Sequence, residues 1–295
     1  MSVEAFEAAR SSVGVIDTMI GFPAPREEQA KHYDFIRAQT HDDDSQEWEF
    51  PAQYMFKGVP HYDRVDHPVE MLVAKMDQHG IRKAITGLPT GGNAKEALER
   101  HPDRFFPSCN VDPNQGMEAV RALETAVEEY GAKCAQCWGT GLIPQVPLDD
   151  KKMYPIYAKC VELDIPIFVY AGVPGPRIRF EPQYAGLLDE VCWFFPELKI
   201  VTRHGGQPWT ELMVKLLLKW PNLYYSTSAF APKHYDEHII QFANTRGADK
   251  VMYAGYYPMG LDIDRIFSEL PHVPFRDHVW PKFLYENAAR VLQLD

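Results

Sequence analysis

A chain of 295 residues with 45% apolar and 24% charged residues can build a sizeable core and is too apolar for a disordered segment. Its formal charge of -11 argues against nucleic acid or an anionic membrane as the main partner, since both reward basic surfaces. An anionic small molecule stays open, because a few local arginines can dominate a pocket. No apolar run approaches the roughly 20 residues that span a bilayer. The start MSVEAFEAARSS lacks the basic opening and apolar stretch of a signal peptide, so the expectation is a cytoplasmic protein. Five cysteines, an odd number in a long chain, suit free buried thiols better than a disulfide framework. Cys134 and Cys137 form a lone CxxC with no second pair to complete a zinc site.

Short β-branched segments alternate with longer ones of helical period, the order of a parallel sheet wound with helices. The candidate strands are Val13 to Asp17, Lys83 to Gly87, Phe105 to Val111 and Ala132 to Cys137, then Pro166 to Tyr170, Lys199 to His204, Leu223 to Ser228 and Lys250 to Gly255. Between them, Pro68 to His79 places Val69, Leu72, Val73 and Met76 on one face, and Gly80 stops it. Gly116 to Tyr130, Met153 to Leu163 and Trp209 to Trp220 repeat the pattern, and Phe283 to Leu292 closes the chain. Eight strands close a barrel. The expected fold is one α/β domain over residues 1–295, a (β/α)8 barrel of the TIM type.

Strand one is followed by an insertion of about residues 23–66, with the acidic run Asp42-Asp43-Asp44 and the aromatic stretch WEFPAQYMFKGVPHY. Excursions of this length are lids or interfaces when ordered. Trp48, Tyr54, Phe56 and Tyr62 suit either role, and the Asp run reads best as a solvated turn. His61, Asp63, Asp66 and His67 read as a polar loop more readily than as a metal cluster.

In such a barrel the active site lies at the C-terminal ends of the strands. Those ends offer Asp17, Thr18 and Met19, Asn110 and Asp112, Gln136, Cys137 and Trp138, and Tyr170 with Arg177 and Arg179 close behind. Next come Arg203 and His204, Ser226 and Ser228, and Tyr256 and Tyr257. The stretches VIDTMIGFP, PIFVYAGVPG, LKIVTRHGGQPW, NLYYSTS, VMYAGYYPMG and FLYENAARVL are each short but ordered along nearly the whole chain. With them the sequence resembles the amidohydrolase-related branch of the amidohydrolase superfamily. That group includes aminocarboxymuconate-semialdehyde decarboxylase and related decarboxylases, hydratases and lactonases.

The departures carry as much information as the matches. By this resemblance the first strand should end Asp-x-His-x-His, yet the histidine positions hold Met19 and Gly21. Tyr170 stands where a third histidine is usual, and Tyr256 where an aspartate is; His204 alone keeps the family's residue. A divalent cation needs three or more N or O donors at about 2 Å, so neither a metal nor another cofactor is expected.

A site without a cation must stabilise negative charge with hydrogen-bond donors. Tyr170, Tyr256 and Arg203 are such donors, and His204, with an ordinary pKa near neutral, is the candidate general acid or base. Asp17 orients His204, acts as base, or holds the barrel floor. Arg177 and Arg179 are expected to grip a substrate carboxylate, with Gln136, Trp138, Tyr257 and Trp209 completing the binding surface.

The expected activity is metal-independent hydrolysis of an ester, lactone or C–C bond in a carbonyl-containing, carboxylated small molecule. Decarboxylation or hydration at the same site stands next. The resemblance adds that at least one lactonase of the family works without metal, and that homodimers are common. The rival of another class is a non-catalytic barrel binding a ligand or partner. In that case the tyrosines only fill vacated volume, Arg203 belongs to a structural ion pair, Arg177 and Arg179 stand exposed and idle, and His204 is a buried histidine bonded to a neighbour. Two tyrosines beside a histidine and an arginine retain proton-transfer capacity, which tilts the reading toward an enzyme.

Overall fold

The computed structural model describes residues 3–294; the first two residues of the N-terminal stretch, and the last of the 1–295 domain, lie outside them. All strands pair in parallel. They are β1 Val15–Asp17, β2 Ile81–Thr86, β3 Phe105–Pro107, β4 Cys109–Asn110, β5 Ala135–Cys137, β6 Ile167–Tyr170, β7 Ile200–Arg203, β8 Leu223–Ser226 and β9 Val251–Met252. β3 and β4 are the two halves of the third expected strand. Their break falls at Ser108, whose N–H and hydroxyl both donate to the Thr86 carbonyl. The sheet is therefore a set of three strands and a set of six, eight positions in all. The circle closes through a bridge between Ile20 and Tyr257, with Gly21 N–H donating to the Tyr257 carbonyl at 2.7 Å. This is the (β/α)8 barrel.

The strands are mostly buried and apolar, as a sheet covered on both faces requires. The helix Pro68–His79 has the expected bounds, with Pro68 in its first turn and Gly80 at φ 72° ending it. Its buried face is Val69, Leu72, Val73, Met76 and His79. All five cysteines are free and buried, and burial pushes the Cys134 and Cys137 thiols up to about 12, which makes them inert. Among the described residues no helix is long and apolar enough to cross a membrane.

The insertion is an ordered cap of three short helices, Arg26–Lys31, Asp34–Arg37 and Asp43–Glu47, with turns between them. The acidic run is not a free turn. Asp42 caps the third helix through Ser45 N–H at 3.0 Å, and Asp42 and Asp44 both receive Arg177.

Candidate active site

Strand ends β1, β5, β6 and β7 and the turn after β9 meet beneath the insertion around a cavity of about 210 Å³. Met19, Trp138, Tyr170, His204 and Tyr256 come from the barrel, and Tyr33, Phe35, Phe50, Met55 and Phe56 from the insertion. The aromatic insertion is thus a lid. Phe56 stacks on Tyr256 at 5.6 Å, Phe50 meets Phe56 edge-on at 5.4 Å, and Phe35 meets Trp138 at 6.0 Å. Among the described residues no Asp, Glu, Lys or Arg side chain lines the cavity.

His204 takes φ 64° immediately after β7, followed by Gly205 at 76° and Gly206 at 66°. This left-handed run turns the chain sharply at the barrel mouth and is costly for a residue with a Cβ. The imidazole stands edge-on to Tyr170 (4.7 Å) and to Tyr256 (5.3 Å). Ser228 Oγ accepts the His204 backbone N–H at 3.1 Å and lies 3.0 Å from Nδ1. With the hydroxyl proton given to Nδ1, Nε2–H is left as the ring's donor. Burial, and then the charge of Arg203, push the imidazole down to about 3. At neutral pH His204 is an uncharged donor and a weak base, unlike the near-neutral group expected from the sequence. Burial likewise keeps the Tyr256 phenol protonated.

Arg203 and Asp17 lie behind this surface and do not line the cavity. Arg203 donates to the Thr18 carbonyl at 2.7 Å and to Gln136 Oε1, and reaches the Tyr170 hydroxyl at 3.4 Å. Gln136 is itself tied to Ser108 Oγ, so it positions Arg203 instead of meeting a ligand. Asp17 Oδ1 accepts N–H bonds from Met19 and Gly255, each at 2.9 Å. Its Oδ2 is buried without a hydrogen bond, as is the neighbouring Tyr253 hydroxyl.

Burial pushes the Asp17 carboxyl up from 3.8 to about 6, against the bonds from Gly255 and Met19 and the charge of Arg203. A raised folded-state value means that this group favours the fold below about pH 4 and loses that contribution as pH rises to 6; a shift of that size corresponds to about 3 kcal/mol. Asp17→Asn keeps Oδ1 and offers Nδ2 to Tyr253. Its stability advantage over wild type is expected to grow from near zero at pH 4 to about 3 kcal/mol at pH 7 in urea titrations. His204, with its lowered value, acts in the opposite sense, so the informative quantity is the difference between the two proteins.

The remaining expected binding residues are engaged elsewhere. Arg177 pairs with Asp42 and Asp44 and stacks on Trp48 (4.6 Å) and Tyr54 (5.6 Å). It clasps the lid to the loop after β6, and Arg179 is exposed against Glu181; neither lines the cavity. The Tyr257 hydroxyl is bound to that of Tyr62 at 2.9 Å in the closing seam, and Trp209 packs against Phe180 and Tyr184. Asp112 caps the turn at Asn114. Gln183 lines the cavity although no sequence signal points to it; it holds Trp138 Nε1 and the Gly172 carbonyl.

The lid seats against Gly175, where a Cβ would lie 2.8 Å from Ala52 Cβ. Gly175→Ala is expected to push the lid outward at a cost of about 1–3 kcal/mol. Tryptic cleavage at Lys57 should become several-fold faster; an unchanged cleavage rate in the folded variant would mean that the lid does not rest on this contact.

The amidohydrolase family model matches residues 17–294. The chain belongs to the amidohydrolase family. A TIM-barrel protein of Bordetella bronchiseptica is similar over 95% of this chain and 98% of its own, with 21% identity and a TM-score of 0.72. The 5-carboxyvanillate decarboxylase of Novosphingobium aromaticivorans, solved with manganese and a nitrobenzoic acid, gives 21% identity over 95% and 97% of the two chains and a TM-score of 0.65. The 2,6-dihydroxybenzoate decarboxylase from Rhizobium gives 18% identity over 95% and 99%, with a TM-score of 0.64. These likenesses are of fold. A 2-keto-4-carboxy-3-hexenedioate hydratase of Sphingobium is 27% identical over 126 residues, a match spanning 37% of each chain.

The residues at the family's metal positions do not fit a hard divalent cation. Met19 and Gly21 supply no N or O side-chain donor, Tyr256 keeps its proton, and His204 alone is an ordinary ligand. Among the described residues no three His, Cys, Asp or Glu side chains gather into a possible metal cluster. That includes His61, Asp63, Asp66 and His67; Asp66 is paired with Arg64.

Proposed function

We propose that this barrel is a metal-independent lyase that decarboxylates a planar small acid whose carboxylate is conjugated with a carbonyl or phenol oxygen. The observation that carries the reading is the gathering of Tyr170, His204 and Tyr256 in ring contact on the wall of a lidded cavity that no Asp, Glu, Lys or Arg lines among the described residues, its other polar side chains being His32, Tyr33 and Gln183. The substrate oxygen takes hydrogen bonds from the phenols and from the imidazole N–H, and the carboxylate lies among apolar walls without a cation. In a hydroxybenzoic acid the carbon bearing the carboxylate first takes a proton from a tyrosine hydroxyl, which recovers one from the substrate phenol, so that the ring stands as its keto tautomer. When the C–CO2 bond then breaks, its electron pair passes through the ring onto that oxygen as phenolate; neutral CO2 leaves, and solvent protonates the oxygen. Charge moves from an unsolvated carboxylate to an oxygen held by donors, so the site favours the transition state over the bound acid.

The 5-carboxyvanillate and 2,6-dihydroxybenzoate decarboxylases that share this fold agree with this choice. Hydration is the second reading, favoured by the hydratase relative. Both hydration and ester or lactone hydrolysis need a base to activate water. With the imidazole pushed down to about 3, His204 serves that role poorly.

The test is CO2 release from hydroxybenzoic acids by chelator-treated protein. Turnover that persists in chelator supports the reading. Turnover that returns only with added Mn²⁺, or water addition without CO2, overturns it.

A further inference from the structure

At about 210 Å³ the cavity is smaller than the roughly 300–1,000 Å³ of common ligand pockets, and apolar side chains make up much of its opening, beside the exposed His32. Phe35, Met55 and Val173 line it yet remain 43%, 56% and 53% exposed. They come from three separate places: a lid helix, the lid turn and the loop after β6. Single exposed apolar residues are ordinary on a protein surface. Three that converge on one opening, each also facing the cavity inside it, form a continuous apolar path from floor to solvent. Tyr54 beside them has its hydroxyl tied to the Gly175 carbonyl, so the adjoining edge presents ring surface. Arg177, in the loop that carries Val173, is held by Asp42 and Asp44, and Arg179 is paired with Glu181.

We infer that the substrate is amphiphilic: its oxygen-bearing head sits at Tyr170, His204 and Tyr256, and an apolar extension leaves through the opening across Phe35, Met55 and Val173. The occupant of this rim is the substrate itself rather than a second copy of the chain, because the rim residues are the outer wall of the same cavity. The inference rests on the proposed function only for where the head lies.

Calorimetric titration of the full chain in chelator with salicylate and its 5-alkyl derivatives, ethyl to hexyl, below their micelle concentrations, tests it. Affinity is expected to rise about four-fold per methylene, from ~0.8 kcal/mol per buried CH2, over the first several carbons. In a Met55→Ser, Val173→Ser double variant that melts like wild type, the gain from ethyl to hexyl is expected to fall by about ten-fold or more. Affinity that is flat or falling with chain length overturns the inference, as does a gain that the double variant leaves intact. Binding is read without turnover, so the two readings separate. A rising series without CO2 release retains the apolar path and sinks decarboxylation, whereas CO2 release from short acids with a flat series does the reverse.

Discussion

Tyr170→Phe and Tyr256→Phe are each expected to lower kcat/KM by about 100- to 1,000-fold, the usual loss when one donor to a developing oxyanion is removed. Both changes keep the ring. Tyr170 retains its contacts with Trp138 (5.5 Å) and His204, and Tyr256 its stack on Phe56. Folding stability should therefore stay within about 0.5 kcal/mol of wild type, and the loss will report chemistry instead of collapse. The double variant is expected to lose less than the product of the two, because in the proposed mechanism both phenols serve one oxygen. Folded variants that turn over within about three-fold of wild type would leave the tyrosines as mere filling and move the chemistry to other groups of the cavity.

Arg203→Met is expected to destabilise the fold by about 3–5 kcal/mol, the range for breaking a buried charge away from its partners. The guanidinium is 3% exposed and lies over the Phe168 ring at 4.8 Å. Its loss leaves the Thr18 carbonyl and Gln136 Oε1 without their donor and deprives Asp17 of its nearby positive charge. Arg203→Lys keeps the charge but cannot span both acceptors with a planar fork, so an intermediate loss is expected. Urea titration at pH 7 measures both. A Met variant within about 1 kcal/mol of wild type would mean that these bonds contribute little.

Most of the barrel is legible in the amino-acid pattern. It rests on eight short apolar segments, and each lies where expected; seven are shortened by one to three residues at an end where ladder pairing stops, while the second begins two residues earlier, at Ile81. The helix Pro68–His79 is legible to the residue because proline and glycine punctuate it. The helix Gly92–Arg100 is not, since Ala97 alone is buried on it and no apolar stripe announces it. The split at Ser108 depends on one hydroxyl finding a neighbouring strand's carbonyl, which no local pattern records.

At the site, the strand ends point to Tyr170, His204, Tyr256 and Trp138 because a barrel fixes where strand ends go. The partner of Arg177 lies 135 residues upstream, and a pairing over that separation leaves no trace in spacing. Tyr33, Phe35 and Phe50 sit in a segment without period, and only the fold shows which way they face. The low basicity of His204 comes from burial and from Arg203 behind it, a property of the assembled interior.

The lid is closed at its base. Pro25 bridges Tyr62, and Arg26 N–H donates to the Tyr62 carbonyl at 2.9 Å, so the two ends of the cap stand side by side on the barrel rim. A segment that leaves and rejoins its scaffold at one point can lengthen, shorten or be exchanged without moving a strand. The roof and the floor to which we assign ligand choice and chemistry are therefore separable by inheritance. A laboratory can graft a different cap between Pro25 and Tyr62 in the same way.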